Sequence, residues 1–131
     1  GNVLIQKRQM GKRLFPGRWD NSAAGHVDSG EEYEIAARRE LHEELGLNGV
    51  QLAEIAYYRS QTRDGEKILN RFTKIYTARV PSTTEFVLQE SEVAKVKWMT
   101  KREVLKMVSE QPGRVTDGLV ESTKHGTLFD E

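Results

Sequence analysis

The order of apolar and polar positions along the chain predicts strands that alternate with helices. The predicted strands cover residues 3–8, 19–24, 50–62, 67–80 and 93–99. Asp64 and Gly65 separate the third run from the fourth and are typical of a hairpin turn. Two longer segments have helical periodicity, and the tail after Gly113 adds one short helix. Interleaved strands and helices indicate the α/β class, here as a single domain over residues 1–131.

End signals bound both predicted helices. Ser29, followed three residues later by Glu32, has the spacing of a capping box at the start of the first helix. Gly46 is the residue expected just past its C-terminus, where the chain turns left-handed. Thr100 and Glu103 repeat the capping-box spacing before the second helix. Because the chain starts almost directly in a strand, we also expect further sequence before Gly1.

The first predicted helix gathers carboxylates on one side. At roughly 100° per residue, Glu40, Glu43 and Glu44 fall on that side. The expected inward positions are Ile35, Leu41 and Leu45 in this helix and Val104, Leu105 and Val108 in the second. Like charges at helical spacing destabilise a helix, so the pattern favours a bound hard cation, usually Mg²⁺, with Mn²⁺ as the alternative. Glu40 and Glu44, one helical turn apart, are placed to hold one cation together.

The same stretch resembles the box motif of Nudix hydrolases, Gly-x5-Glu-x7-Arg-Glu-U-x-Glu-Glu-x-Gly-U, in which U is a bulky aliphatic residue. The matching positions are Gly25, Glu31, Arg39, Glu40, Leu41, Glu43, Glu44, Gly46 and Leu47. A solvated acidic helix face would explain the acids but not the glycines and the arginine in register with them. The resemblance implies an α/β/α sandwich around a mixed β-sheet. It also implies Mg²⁺-dependent attack of water on phosphorus in a nucleoside diphosphate linked to another group.

Roles for individual residues follow from the resemblance. The implied cation ligands are the carboxylates of Glu40, Glu44 and, in reserve, Glu43, together with the backbone carbonyl of Gly25. Arg39 and Glu31 are implied as an ion pair that fixes the loop against the helix, and Gly46 completes the structural part of the box.

The general base is implied on a later loop, shortly before a strand that carries a tryptophan. Glu90 and Glu92 precede Trp98 in this way, and we choose Glu92. Glu43 is the candidate within the box, and the alternative for both loop acids is plain solvent exposure.

A second segment, Phe15–His26, resembles isopentenyl diphosphate isomerase, an enzyme with the Nudix fold that is not a hydrolase. That enzyme has its catalytic cysteine where this chain has Ala24. The resemblance implies that Arg8 and Lys12 hold the substrate phosphates. It aligns His26 with a metal ligand, although a lone histidine is more often structural.

Composition narrows the function classes. Charged residues make up 31% of the chain and cancel to a net charge of zero, which argues against binding of nucleic-acid polymers or membranes through a global basic surface. The absence of cysteine excludes disulfides and a cysteine nucleophile.

We therefore expect a cytoplasmic enzyme that acts on a small-molecule diphosphate, and a homodimer is compatible with the sequence. An isomerase and a non-catalytic nucleotide-binding module remain alternatives. The leaving group is not defined, although Tyr57, Tyr58 and Phe86 are candidates either to stack on a base or to fill the core.

Overall fold

The computed structural model describes residues 2–22 and 30–124. The strands are β1 (Asn2–Arg8), β2 (Trp19–Asn21), β3 (Ala53–Asp64), β4 (Lys67–Thr77) and β5 (Val93–Thr100). The helices are α1 (Tyr33–Leu45), α2 (Lys101–Glu110) and α3 (Asp117–Lys124), with a 3-10 turn at Pro112–Arg114. The α/β class is confirmed, and none of the described helices has the length and apolar character needed to span a membrane.

Within residues 2–22 and 30–124 the strands form two sheets. In the first the order is β2-β1-β5, with both pairings antiparallel and Leu4 opposite Trp98. A parallel bridge joins Trp19 to Val115 beside this sheet. The second sheet is the predicted β3–β4 hairpin, which turns at Gly65 with a φ of 64°.

Helices cover both faces of the first sheet. Leu4, Ile5 and Gln6 are consecutive in β1 and all buried, so both faces of this strand are covered. Ile5 belongs to the core that α2 and α3 build on one face. Gln6 projects from the same side as Leu4, and its amide reaches Glu44 of α1. The α/β/α arrangement is thereby confirmed, and the core under α2 and α3 comprises Ile5, Trp19, Met99, Val104, Met107, Val115 and Leu119.

Helix α1 differs from its predicted orientation. Ile35 is 55% exposed, so its inward assignment is wrong. Ala36, Glu44 and Leu45 are the buried positions, and at about 100° per residue the centre of their arc lies close to Glu44. The acids Glu40 and Glu44 therefore lie on the inward side of the helix and not opposite its packed face. Apolar spacing alone misplaced the face because a buried carboxylate counts as polar in the sequence.

The ends of α1 agree with the prediction at one terminus only. Gly46 ends the helix in the left-handed region at φ 71°, as predicted. At the other end the capping residue is Glu32, whose side chain makes no cap hydrogen bond. The predicted box with Ser29 as its cap is therefore wrong in position, and Ser29 itself lies outside the described residues. The helix begins later than the spacing suggested, at Tyr33.

Helix α2 begins with the predicted capping box. The Thr100 hydroxyl accepts a hydrogen bond from the Glu103 backbone N–H, and the Glu103 carboxylate accepts one from the Thr100 N–H, both at 3.1 Å. Val104 is buried as predicted, whereas Leu105 is 38% exposed and its inward assignment is wrong. Met107 occupies the inward face instead, because it lies one helical turn from Val104.

Candidate active site

Arg39 connects three glutamates of the box. Its Nε and Nη2 donate to the two carboxylate oxygens of Glu31 at 2.9 and 3.1 Å, a bidentate pair. Its Nη1 donates to Glu40 at 3.0 Å and to Glu43 at 3.2 Å. The ion pair expected between Arg39 and Glu31 is present, and it ties the loop before α1 to the middle of the helix. The same guanidinium compensates the charge of the carboxylates that the helix spacing crowds together.

Glu44 is the buried carboxylate of the site. Its side chain is 5% exposed, and Oε1 accepts a hydrogen bond from Nε2 of Gln6 at 3.0 Å. The Gln6 amide also donates to the Ser22 carbonyl at 3.0 Å. One amide thus connects α1 to the chain that enters residues 23–29. Sequence reasoning missed Gln6, although an uncharged polar residue after the apolar run Val3–Ile5 was an available signal.

Three of the expected positions, Ala24, Gly25 and His26, lie outside the described residues. The Gly25 carbonyl and the His26 ring therefore stay predictions as cation ligands. Ser22, the last described residue before them, is held to β1 by its own hydroxyl, which donates to the Leu4 carbonyl.

Lys12 and Glu92 form an ion pair between two loops. Their side chains are 26% and 36% exposed. A backbone bond joins the two loops, because Gln9 N–H donates to the Glu92 carbonyl at 3.1 Å. Within the first loop, Lys12 N–H donates to the Gln9 carbonyl at 3.2 Å. The residue expected to hold phosphate and the residue expected to act as base are therefore direct neighbours.

Arg8 is engaged with the protein interior. Its Nε and Nη2 donate to the Leu14 carbonyl at 3.1 and 2.8 Å, and Nη1 lies 3.6 Å from Asp20 Oδ2. Asp20 is buried and also accepts the Thr116 hydroxyl at 2.7 Å. Burial raises the pKa of the Asp20 carboxyl above its ordinary value, an effect that the hydrogen bonds from Thr116 and Asn21 and the charge of Arg8 oppose without overcoming. In this structure Arg8 fastens the Leu14 loop to Asp20.

A cleft of about 1980 Å³ lies against the inward face of α1. The predicted site residues that line it are Arg8, Lys12, Arg39, Glu40, Glu43, Glu44 and Glu92. Glu90 is exposed and is not among the lining residues, so the two loop acids have different environments.

The oxygen donors of this cleft fit a hard divalent cation. Glu40, Glu43 and Glu44 offer carboxylate oxygens from one helix, the donor type that Mg²⁺ and Mn²⁺ bind. Within residues 2–22 and 30–124, however, no three His, Cys, Asp or Glu side chains converge closely enough to form a metal-binding group. The reason is visible in the geometry, since Arg39 holds Glu40 and Glu43 while Gln6 holds Glu44. Arg39 Nη1 engages one oxygen of each of these two carboxylates, Oε1 of Glu40 and Oε2 of Glu43.

The sequence model of the NUDIX domain matches residues 1–119, which is most of the chain. The chain belongs to the Nudix family. It is 35% identical over 136 aligned residues to Nudix hydrolase 3 of Arabidopsis thaliana. The alignment covers 98% of this chain but only 17% of the plant protein. The chain thus corresponds to a small part of that relative.

Isomerases also occur among the Nudix relatives. Isopentenyl-diphosphate Delta-isomerase of Cereibacter sphaeroides is 34% identical over 119 residues, covering 89% of this chain and 67% of the isomerase. Among solved structures, DR0079 from Deinococcus radiodurans superposes with a TM-score of 0.75 at 26% identity, covering 95% of this chain and 74% of that one. Both resemblances read from the sequence, to Nudix hydrolases and to the isomerase, are confirmed at the level of the family.

Proposed function

We propose that this protein is a Mg²⁺-dependent Nudix hydrolase that cleaves the diphosphate bond of a nucleoside diphosphate linked to another group, by attack of water on phosphorus. The observation that supports the proposal is the position of Glu40, Glu43 and Glu44, which line one cleft together with Lys12 and Glu92. An anionic substrate and a cation bound to acids require this mixture of positive and negative side chains in one place.

Each residue of the proposed site has a separate role. Glu40 and Glu44, with Glu43 and the Gly25 carbonyl, would hold the cation. Lys12 is close enough to Glu92 to bind a phosphate oxygen beside the base, and Arg8 shapes the same wall through its bonds to Leu14 and Asp20. Glu92 would accept the proton of the attacking water. A bound Mg²⁺ would supply charge neutralisation on the phosphate oxygens and acidify water.

Phosphoryl transfer requires little covalent catalysis by protein side chains. Positioning and electrostatic stabilisation account for most of the catalysis of such reactions. The fixed elements of this site supply positioning, because Arg39 is bidentate to Glu31 and Gln6 fixes Glu44 from the neighbouring strand. These bonds hold the carboxylates on a helix, which is a more rigid support than a loop.

Isomerisation is the second candidate, because isopentenyl-diphosphate isomerases are among the relatives. The resemblance places their catalytic cysteine at the position of Ala24, and the chain contains no cysteine at all. An alanine methyl group cannot transfer a proton to or from carbon. Hydrolysis is therefore the reaction that the residues of this chain support better.

The decisive experiment incubates the purified protein with a diphosphate panel, with Mg²⁺ and with EDTA. Ion-exchange chromatography detects release of the two phosphomonoester products, because cleavage between the two phosphates frees no inorganic phosphate. The panel contains nucleotide sugars, dinucleotides, coenzyme A and NADH, with isopentenyl diphosphate followed separately for isomer formation. We expect release from at least one nucleotide in Mg²⁺ and none in EDTA. Isomer formation without hydrolysis of any panel member would contradict the proposal.

The matched variants for this screen are Glu44→Gln and Glu34→Gln on the same helix. Glu44→Gln should lower turnover by orders of magnitude with the fold intact, because it removes a ligand charge and keeps the shape of the side chain. Glu34 is exposed, lies 3.8 Å from Arg38 and does not line the cleft, so Glu34→Gln should retain wild-type turnover. Circular dichroism of both variants checks the fold. If Glu44→Gln has near wild-type turnover at saturating Mg²⁺, Glu44 is not a principal ligand of the cation.

A further inference from the structure

We propose that the face of the β3–β4 hairpin next to α1 holds the nucleobase of the substrate. This inference rests on the proposed function and adds the part of the site that recognises the nucleoside. In the hairpin Tyr57 lies opposite Lys74, and Arg59 lies opposite Phe72. Because paired and alternate residues of antiparallel strands share a face, these four side chains lie on one face of the hairpin.

The aromatic rings of this face are arranged as a stack with an open end. The Tyr57 and Phe72 rings are stacked with centroids 5.8 Å apart and planes 28° from parallel. Tyr33, the first residue of α1, meets Tyr57 edge to face at 6.0 Å. Tyr57 is 55% exposed and Phe72 is 60% exposed. Phe72 therefore has Tyr57 on one side and open ring surface elsewhere, on which a further planar ring can stack.

Positive charge accompanies the rings. Lys74 Nζ lies 4.9 Å from the centroid of Tyr33 and 5.4 Å from that of Tyr57, and it pairs with the Glu54 carboxylate at 3.3 Å, which offsets part of its charge. Arg59 is exposed beside Phe72, with its guanidinium 3.5 Å from the Asn70 side-chain oxygen. Aromatic rings next to cations bind nucleotides well, because every base has a π-face for stacking while the phosphates are attracted to the cations.

Helix α1 connects this face to the acids. Tyr33, Ala37, Glu40 and Glu44 are separated by four, three and four residues, so at roughly 100° per residue they fall within about 60° of each other. All four line the cleft, as do Phe72 and Lys74. At about 1.5 Å of rise per residue, Tyr33 lies roughly 10 Å along the axis from Glu40 and roughly 16 Å from Glu44. That separation is comparable with the reach of an extended nucleoside diphosphate, and the small side chain of Ala37 lines the cleft between the two ends.

A second copy of this chain is a poorer occupant of the hairpin face. A two-fold interface would place this face against a second copy and add a second set of the same charges, in which Arg59 is exposed and Lys74 is offset by Glu54. Like charges facing each other in a contact reduce affinity. A nucleotide, which carries negative charge and a planar base, complements both the cations and the rings.

The test measures binding of α,β-methylene-ADP and of methylenediphosphonate, which shares the non-hydrolysable P–C–P unit but has no nucleoside. Isothermal titration in Mg²⁺ compares the wild type with Phe72→Ala, Phe72→Tyr and Ile68→Ala, with the uridine analogue run alongside. Ile68 is the matched control, because it is an apolar residue of β4 that is 52% exposed but does not line the cleft.

We expect the wild type to bind at least one nucleoside analogue more tightly than methylenediphosphonate. Phe72→Ala should weaken nucleoside binding on the order of tenfold or more and leave methylenediphosphonate binding unchanged. Phe72→Tyr, which keeps the ring, and Ile68→Ala should bind both probes like the wild type. The proposal is overturned by a wild type that does not prefer either nucleoside probe, or by Phe72→Ala that retains wild-type binding of the preferred one.

Light scattering after size-exclusion chromatography tests whether the hairpin face is a contact between subunits. If Phe72→Ala changes the oligomeric state while nucleoside binding is retained, the face is a contact between subunits and the inference fails. Mg²⁺-dependent cleavage of a panel nucleotide, combined with wild-type binding of the preferred nucleoside probe by Phe72→Ala, would refute this inference while the proposed function stands. Conversely, Phe72-dependent nucleoside binding without Mg²⁺-dependent release from the panel would refute the proposed function while the subsite stands.

Discussion

At the scale of single residues, the site depends on how one buried carboxylate is held. Glu44 is 5% exposed, and burial of a carboxylate is costly unless hydrogen bonds compensate the lost water. Gln6 supplies such a bond from β1 and has a second bond to Ser22. Gln6 is therefore a positioning residue for Glu44, and under the proposed function it acts on the cation site through that carboxylate.

We expect Gln6→Leu to lower the free energy of unfolding by about 1–3 kcal/mol, because it removes a buried donor from Glu44 and from the Ser22 carbonyl. It should also weaken Mn²⁺ binding, measured by electron paramagnetic resonance, since Glu44 loses its fixed orientation. Gln9→Leu is the control, because the Gln9 amide bonds the Val93 carbonyl away from Glu44. Equal stability and equal Mn²⁺ affinity in wild type and Gln6→Leu would show that Gln6 only fills space.

A second prediction at this scale concerns the base. Glu92→Gln should lower kcat far more than Mg²⁺ affinity, because the proposed cation ligands remain in place. Its pH–rate profile should lose the limb on which the wild-type rate rises as the base ionises. Glu90→Gln is the control, since Glu90 is exposed outside the cleft whereas Glu92 lines it. A slow Glu90→Gln with a fast Glu92→Gln would transfer the role to Glu90, and two fast variants would make Glu43 the first candidate.

At the scale of elements, the capping box of α2 is a pH-dependent contribution to stability. Hydrogen bonds from the Thr100 backbone and then from its side chain lower the pKa of the Glu103 carboxyl below its ordinary value of 4.5. A lowered folded-state pKa means that the contribution is present above the unfolded value and is lost as the pH falls through the folded value. Glu103→Gln should therefore be less stable than wild type at pH 7, and the difference should be smaller at pH 3. Urea unfolding at both pH values checks this, with the exposed loop acid Glu85→Gln as control. A stability difference that is the same at both values would show that ionisation of Glu103 is irrelevant.

Local signals predicted most elements of this fold but not the direction in which α1 faces. The hairpin turn at Gly65, the cap at Gly46 and the box at Thr100 depend on a few neighbouring residues, so the sequence is sufficient for them. The inward face of α1 depends on Gln6, which is 38 positions from Glu44. No periodicity of the helix reveals a partner on another strand.

The candidate site shows the same division. Box spacing predicted which acids share α1, and the structure places them on one cleft wall. Spacing did not predict that Lys12 would pair with Glu92 or that Arg8 would bind Leu14 and Asp20, because these contacts join loops far apart in the chain. The stack of Tyr57 and Phe72 likewise depends on the register of two strands, which only the folded hairpin defines.

At the scale of the whole molecule, Asp20 connects the site to the C-terminal helix. Thr116 donates its hydroxyl to Asp20 and accepts the Leu119 N–H at the start of α3. Asp20 also lies beside Arg8 of β1, so one buried carboxylate joins β1, β2 and α3. Displacement of any of these elements would disturb the cleft wall that contains Arg8.

The raised pKa of Asp20 makes this junction sensitive to pH. Because the folded-state pKa lies above the unfolded value of 3.8, the unfolded chain loses the proton first as the pH rises. Above pH 3.8 the folded state then binds more protons than the unfolded state. This group therefore makes the free energy of unfolding fall as the pH rises, until the pH passes the folded-state pKa.

Asp20→Asn retains an oxygen acceptor for Thr116 but cannot ionise. Its unfolding free energy relative to wild type should therefore increase as the pH rises from 3.8, measured by urea unfolding at successive pH values. Glu66→Gln, in the exposed hairpin turn, should show no such trend. If wild type instead gains stability over Asp20→Asn with rising pH, the charge of Arg8 dominates over burial, and Asp20 is an ionised anchor of the site.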